Sequence, residues 1–195
     1  MYASRTGLVL GFHGTDESVV KKVVSGEIKL GIKNNPYDWL GHGIYFWDNS
    51  YSRALDWAEE LSKKKNPSIK KPAVVGAILD LGKCLDLIDY VNLQIIKKAH
   101  LDFVEFQKKS GFEIPNNTSH KPGSFDLLNR QLDCAVIESL HKSMQEEKEI
   151  GFDSIRGVFW EGQYLYDNAG FKEKNHIQIC IRNPNCILGY FLPIA

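Results

Sequence analysis

The chain has 195 residues, and its 24 basic and 24 acidic residues give a formal net charge of zero. This balance excludes a long-range field that would draw the whole molecule to nucleic acid or anionic lipid, so any such binding must depend on a local patch. A hydrophobic content of 43% with 25% charged residues is typical of soluble globular proteins. The length suits one domain, and we treat residues 1–195 as one.

Two features of the sequence bear on location and metal content. The early apolar run, residues 7–12, is too short for the core of a signal peptide or for a membrane span. We therefore expect a protein without a membrane segment, located in the cytoplasm of the producing cell or of a target cell that receives it. The four cysteines show neither Cys-x-x-Cys spacing nor a zinc-finger histidine, which argues against a metal site.

The periodicity of apolar residues predicts an α+β order of elements. Residues 8–13 predict a strand, with Leu8, Leu10 and Phe12 on one face and His13 on the other. A helix then runs to about residue 25. The later elements are a strand at 43–47, a helix to about 63, a strand at 73–80, helices at 91–109 and 124–143, and strands at 154–160, 176–183 and 186–191. The two middle helices predict an inserted helical layer at about residues 89–145.

The first segment that suggests chemistry is His13-Gly14-Thr15, at the end of the first predicted strand. A glycine there lets a ligand approach the backbone, whose N–H and C=O can pair with a flat carboxamide. A neutral imidazole can hydrogen-bond a sugar hydroxyl. Taken alone, a histidine at a strand end is more often an ordinary hydrogen-bonded residue.

The second segment is a strand entered through glycines, Gly43-Ile44-Tyr45-Phe46. Ile44 and Phe46 share one face, so Tyr45 lies on the opposite one. A tyrosine ring stacked on a flat cationic heterocycle such as nicotinamide gains on the order of 0.5–2 kcal/mol. A packed aromatic core explains this segment equally well when it is taken by itself.

In order and wording, the two segments together resemble the PARP-like ADP-ribosyltransferases. That family has His-Gly-Ser or His-Gly-Thr after a strand, then Gly-x-Gly-Ile-Tyr-Phe, then a helix start rich in serine. This chain matches it at about residues 8–60, with Gly41-His42-Gly43-Ile44-Tyr45-Phe46 and Ser50-Tyr51-Ser52 in the later positions. The resemblance implies split antiparallel β-sheets with flanking helices, here with the inserted helical layer. It also implies NAD as co-substrate without a metal.

The resemblance also implies roles for individual residues. His13 would hydrogen-bond a ribose hydroxyl of NAD, Gly14 would hold the nicotinamide amide through its backbone, and Thr15 belongs to the same binding segment. Tyr45 would stack on the nicotinamide ring. The family often adds a second aromatic from the next helix, and Trp57 stands one residue beyond the usual place. A core-facing tryptophan is the alternative for Trp57.

The third segment is the late strand, in which alternating isoleucines predict a buried face and place His176 and Gln178 opposite it. In the family a glutamate begins this strand, binds the ribose hydroxyl and stabilises the positive charge at the anomeric carbon. Here the register puts Gln178 at that position, and an amide carries no charge. Glu173 or Glu161 from the preceding loop would supply the charge, or the domain binds NAD without efficient turnover. A solvated loop charge is the alternative for each glutamate.

These segments predict that His13, Tyr45 and Gln178 converge on one cleft, with Tyr45, Gln178 and Glu173 as the catalytic set. The expected function is mono-ADP-ribosylation, in which the nicotinamide–ribose bond of NAD is cleaved and ADP-ribose passes to a protein or nucleic acid. A toxin, effector or phage-defence enzyme would fit, with an antitoxin or immunity protein as partner. The loop at residues 161–175 would recognise the acceptor. The alternatives are a non-catalytic NAD or ADP-ribose binding module and an NAD glycohydrolase.

Overall fold

A seven-stranded sheet forms the centre of the computed structural model, which describes residues 7–119 and 126–194. Its strand order is β4-β7-β8-β2-β1-β3-β9, and all neighbours are antiparallel except β4 and β7. The strands are β1 (Val9–Asp16), β2 (Ile44–Asp48), β3 (Pro72–Leu79), β4 (Cys84–Asp86), β7 (Ser154–Phe159), β8 (His176–Ile181) and β9 (Ile187–Phe191). Two short strands, β5 (Asn117–Thr118) and β6 (Asn129–Arg130), form a separate pair.

Four α-helices accompany the sheet in the described part of the chain: α1 (Glu17–Val24), α2 (Tyr51–Ser62), α3 (Tyr90–Ser110) and α4 (Gln131–Glu146). The α+β class predicted from the sequence is therefore confirmed. The last two helices occupy the interval in which an inserted helical layer was expected, and they pack against each other. Among the described residues, no helix combines the length and the apolar character needed to cross a membrane.

Different helices cover the two faces of the sheet. The face that we call the α1 face carries Phe46, Ile179 and Val75, and the buried valines of α1 pack against it. The face that we call the α2 face carries Phe12 and Trp47, against which α2 packs through buried alanines. The same α2 face is covered by α3 and α4 over β4, β7 and β8. Each face thus buries its own apolar core.

The prediction of two split sheets is wrong, because one ladder joins both halves of the sheet. This β1–β2 ladder pairs only Gly11 with Asp48 and Phe12 with Trp47, whereas β1 pairs with β3 along its whole length. The structure also adds β4, which pairs in parallel with β7. A strand of three residues is too short to show a periodicity in the sequence.

Two further expectations need correction. Of the three residues that defined the predicted apolar face of the first strand, Phe12 is buried, whereas Leu8 and Leu10 are 61% and 43% exposed. The predicted helix at 124–143 begins at Gln131 in the structure, while Ser124 lies outside the described residues. The Asn117 side chain accepts hydrogen bonds from the first backbone N–H groups of α4. This distant cap fixes the start of α4, and no local pattern announces it.

Candidate functional site

The sheet brings the three predicted segments onto adjacent strands, in the order β8-β2-β1. In the β2–β8 register Tyr45 pairs with Cys180 and Trp47 with Gln178, so Tyr45 and Gln178 both project from the α2 face. His13 projects from the α1 face, where its ring lies 5.9 Å from that of Phe46. The prediction that His13 shares a face with Tyr45 and Gln178 is therefore wrong.

The cause of this error lies in the packing of β1. Its residues on the α1 face include Gly11, where a Cβ atom would come within 2.6 Å of Leu79 and 2.9 Å of Phe46. The side of β1 that carries Gly11 therefore lies against the large apolar side chains of the neighbouring strands. The sequence suggested the reverse, because Leu8 and Leu10 are apolar although they lie exposed.

His13 nevertheless contacts β2 through its imidazole. Its Nδ1 lies 2.7 Å from the carbonyl oxygen of Tyr45, and because a carbonyl only accepts, Nδ1 must carry the proton and donate. Burial lowers the pKa of His13, so the ring is neutral at pH 7 and its Nε2 is an acceptor. This bond ties β1 to β2 just beyond the point where their two-residue ladder ends.

Gly14 lies under α2, where a Cβ atom would come within 2.1 Å of the backbone oxygen of Ala54. Close helix packing therefore requires glycine here, whatever a ligand needs. Across the β1–β2 ladder, the carbonyl of Leu10 accepts from the Asn49 N–H. Backbone polar groups alternate along a strand, so those of Gly14 turn to the same side, beyond the paired residues. Thr15 pairs with Ala73 of β3.

Tyr45 is held by the turn that precedes its own strand. Its hydroxyl donates to the carbonyl of Gly41 at 2.8 Å and accepts from the N–H of Leu40 at 2.9 Å. Burial raises the pKa of this phenol well above its usual value, so it remains protonated. The ring packs against the cluster that contains Trp39, Leu40 and Cys180. Tyr45 therefore has a clear structural role in the α2 face.

Gln178 is oriented by Trp39, whose Nε1 donates to Oε1 of the amide at 2.7 Å. The Trp39 ring packs edge-on against Phe159, with centroids 5.0 Å apart, and Arg130 lies over it at 4.6 Å. The carbonyl oxygen of Gln178, the atom expected to accept from a ribose hydroxyl, is therefore already engaged. This contact spans 139 residues of sequence, and the strand pattern gave no sign of it.

Five side chains between α2, β2 and β8 form what we call the Trp47 cluster: Trp47, Arg53, Trp57, Glu161 and His176. The Trp57 ring lies 5.5 Å from the Trp47 ring, and the His176 ring lies 6.2 Å from it. The guanidinium of Arg53 lies 5.8 Å from the Trp47 ring centre. The cluster therefore gathers two aromatic rings and one buried cation around the Trp47 ring.

Three ion pairs connect α2 to the loop at residues 161–175. Arg53 binds Glu161 at 2.8 Å and Asp56 at 3.0 Å, and Lys174 binds Asp56 and Glu60. The carboxylate of Glu173 is exposed and accepts instead from the backbone N–H of Gln163, within the loop. Of the two glutamates considered from the sequence, Glu161 thus contacts the cluster directly.

The cluster also concentrates unpaired polar atoms. In the described part of the chain, five buried side-chain nitrogen or oxygen atoms have no hydrogen-bond partner, and three of them are Trp47 Nε1, Arg53 Nε and His176 Nε2. An unpaired buried polar group costs about 1–3 kcal/mol. Native structures tolerate such groups mainly where a ligand, an ion or a water completes them. This concentration marks the Trp47 cluster as the candidate site.

Sequence reasoning did not select Trp47, Arg53 or His176 as site residues, although part of the signal was present. Trp47 and His176 each stand two residues from a selected position, Tyr45 and Gln178, and so share their face. Arg53 precedes Trp57 by four residues, which puts both on one side of α2. The burial of Arg53, with 9% of the side chain exposed, has no local signal.

A cleft of about 300 Å³ lies between α3 and α4, with Trp39 and Arg130 in its wall, and no residue of the Trp47 cluster lines it. Within residues 7–119 and 126–194, no group of three or more histidine, cysteine, aspartate or glutamate side chains could hold a metal ion. No protein-family model, curated protein or solved structure matches this chain.

Proposed function

We propose that the chain is an NAD-dependent mono-ADP-ribosyltransferase that transfers ADP-ribose to a protein or nucleic acid. The observation that carries the proposal is the adjacency of β8, β2 and β1, which are remote in sequence. Their adjacency sets the two motifs that resemble the family, at His13-Gly14-Thr15 and at Tyr45, beside the late strand of Gln178. The resemblance requires this neighbourhood, and the linear sequence does not guarantee it.

The Trp47 cluster supports the proposal because its surroundings suit the binding of NAD. The ring of Trp57, which is half-buried and lies beside the buried Trp47, provides apolar, electron-rich surface of the kind on which a flat cationic nicotinamide stacks. The backbone groups of Gly14, beyond the end of the β1–β2 ladder, suit the carboxamide of that ring. NAD would then lie across the ends of β1 and β2, beside α2.

The proposed reaction needs charge stabilisation. The ribose–nicotinamide C–N bond breaks, its electron pair leaves with nicotinamide, and the anomeric carbon becomes positive until the acceptor attacks it and releases a proton. A carboxylate beside that carbon would stabilise the transition state. Glu161 is the carboxylate in contact with the cluster, and the Arg53 ion pair holds it in place. Glu173, selected from the sequence, would have to leave its bond to the Gln163 backbone.

The proposal is tested by incubating the protein with NAD labelled in its adenylate group and with whole-cell lysate. We expect wild-type protein to label a protein, RNA or DNA fraction. A Trp57→Phe variant, which keeps an aromatic ring, should retain labelling, whereas Trp57→Ala should lose it. Circular dichroism of each variant controls for folding. No label in any fraction would reject transfer, and nicotinamide release without label would identify an NAD glycohydrolase instead.

A second candidate, a non-catalytic module that binds NAD or ADP-ribose, is favoured by one observation. Gln178 carries no charge, and the charge of Glu161 is compensated by Arg53. The carboxylate of the Trp47 cluster is therefore already paired with a cation. Calorimetry distinguishes the two candidates, because tight NAD binding without nicotinamide release supports the module. A Gln178→Glu variant that gains turnover would support it further.

The loop at residues 161–175 is the segment that we propose for acceptor recognition. Tyr164, Tyr166 and Phe171 are each at least 60% exposed on it. The loop begins at Glu161, in the Trp47 cluster, and returns to β8 at His176. An acceptor bound to these side chains would therefore lie beside the cluster. Replacing all three by serine should reduce labelling of the acceptor and leave NAD binding unchanged.

A further inference from the structure

The three unpaired nitrogens of the Trp47 cluster belong to side chains that adjoin one another. The Trp47 ring contacts both the His176 ring and the Arg53 guanidinium. Each of the three side chains is at least nine-tenths buried. Bulk solvent therefore does not reach these nitrogens. The described residues of the protein supply no hydrogen-bond partner for them either.

Their hydrogen-bonding roles are fixed by chemistry and by one contact. An indole N–H and the Nε–H of a guanidinium can only donate. His176 Nδ1 lies 2.6 Å from the carbonyl of Lys174, so Nδ1 carries the proton and Nε2 presents a lone pair. Burial lowers the pKa of His176 to about 4, which keeps this tautomer neutral at pH 7. The cluster thus offers two donors and one acceptor.

We infer that Trp47, Arg53 and His176 form a binding site for a hydroxyl group, and that its occupant is a ribose hydroxyl of NAD. A hydroxyl has two lone pairs and one hydrogen, which is the complement of two donors and one acceptor. It would accept from Trp47 Nε1 and Arg53 Nε and donate to His176 Nε2. This inference rests on the proposed function, because it names NAD as the source of the hydroxyl.

Other small groups fit this site less well. A phosphate or carboxylate oxygen has no hydrogen to give to His176 Nε2, and it would meet the Glu161 carboxylate beside Arg53. An ammonium group would be repelled by Arg53 and would leave both N–H groups unpaired. An apolar group would leave all three nitrogens unpaired, each at the cost of a buried polar atom without a partner.

The inference moves the ribose contact of β8 from Gln178 to His176. The two residues project from the same face of the strand, two positions apart. The oxygen of Gln178 already accepts from Trp39, whereas His176 Nε2 accepts from no described residue. His176 also stacks on Phe159, with ring centroids 5.4 Å apart, so its ring is held firmly. A fixed ring with an unused lone pair is suited to orient a sugar.

The test measures NAD affinity by calorimetry for wild type, His176→Phe and Trp47→Phe in the full chain. Both variants keep a ring and remove one polar atom of the site. Each should raise the NAD dissociation constant about tenfold, the effect of one buried hydrogen bond. NAD analogues that each lack one ribose hydroxyl supply the second arm. For one analogue, wild type and His176→Phe should bind equally, because the hydroxyl that His176 serves is missing.

His141→Phe is the matched control. His141 also bonds a carbonyl through Nδ1, at 2.9 Å, and leaves Nε2 buried and unpaired, but it lies on α4 against Phe152. This variant should bind NAD like the wild type. Wild-type affinity in both His176→Phe and Trp47→Phe would overturn the inference, since water alone then serves these nitrogens, and would leave the proposed function standing. Failure of the wild type to bind NAD would overturn both.

Discussion

Two buried arginines, one on each face of the sheet, differ in whether the Nε atom has a hydrogen-bond partner. On the α1 face, Arg156 donates through Nε to Asp48 at 2.7 Å and through a terminal nitrogen to Asp86 at 3.2 Å. On the α2 face, Arg53 also meets two carboxylates, but its Nε has no partner among the described residues. Its neighbours Trp47 and His176 have unpaired nitrogens as well. The unpaired Nε of Arg53, beside two further unpaired nitrogens, distinguishes the candidate site from the structural ion pairs of Arg156.

The largest effect should come from Arg156→Met. Removing this cation takes a donor from each of Asp48 and Asp86, whose side chains are only 11% and 26% exposed. Breaking a buried pair in this way costs about 3–5 kcal/mol. Arg53→Met should cost less, because its partners Glu161 and Asp56 are 18% and 46% exposed. Urea unfolding of both variants tests the difference, and equal losses would break the comparison.

The next effect is a pH dependence of stability that His176 causes. Its pKa falls from 6.5 to about 4 on folding, so between these values the unfolded chain binds a proton that the folded chain does not. Stability should be full above pH 6.5 and should decrease by up to about 3 kcal/mol as the pH approaches 4. His13 and His141 are shifted in the same direction, so wild type alone does not isolate His176.

Unfolding free energies of wild type and His176→Phe, measured from pH 4 to pH 8, isolate this contribution. The difference between the two curves should be constant above pH 7. Below it, the variant should lose less stability than the wild type, because it has no imidazole at this position to protonate in the unfolded chain. Parallel curves over the whole range would show that burial does not shift this histidine.

A smaller effect extends the comparison to the backbone beneath α2. In Gly14→Ala, the new Cβ would meet the Ala54 carbonyl, which belongs to the helix backbone and moves only with it. Such overpacking costs about 1–3 kcal/mol. Gly189→Ala on β9 is the control, since nothing lies within 4 Å of its new Cβ. Thermal unfolding should separate the two variants, and a neutral Gly14→Ala would place α2 further from β1.

The sequence predicted those parts of the fold that depend on local periodicity. The alternation of Ile177, Ile179 and Ile181 predicted β8 and, with it, the face from which Gln178 projects. The three-residue β4 was missed because so short a segment shows no alternation. The start of α4 was misplaced because its cap, Asn117, lies on β5, 15 residues before Leu132.

The candidate site could be predicted only in part, for a related reason. Alternation placed Tyr45 and Gln178 on one face correctly, but it could not say which face of β1 lies on the same side of the sheet as Tyr45. Apolar Leu8 and Leu10 suggested the wrong answer, and His13 therefore lies on the α1 face. The pairing of Arg53 with Glu161 joins residues 108 positions apart, and only the folded chain shows it.

The smallest effect compares two residues of one strand. The amide oxygen of Gln178 has a hydrogen-bond partner, whereas Nε2 of His176 has none among the described residues. Trp39→Phe removes the donor to Gln178 and should cost about 1 kcal/mol of stability, the net value of one such hydrogen bond. If paired groups are structural, NAD affinity should stay within about twofold of wild type, well below the tenfold loss expected for His176→Phe. Calorimetry decides between the two residues. A loss in Trp39→Phe as large as in His176→Phe would return the ribose contact to Gln178, because only a contact through that amide would need Trp39 to hold it in place.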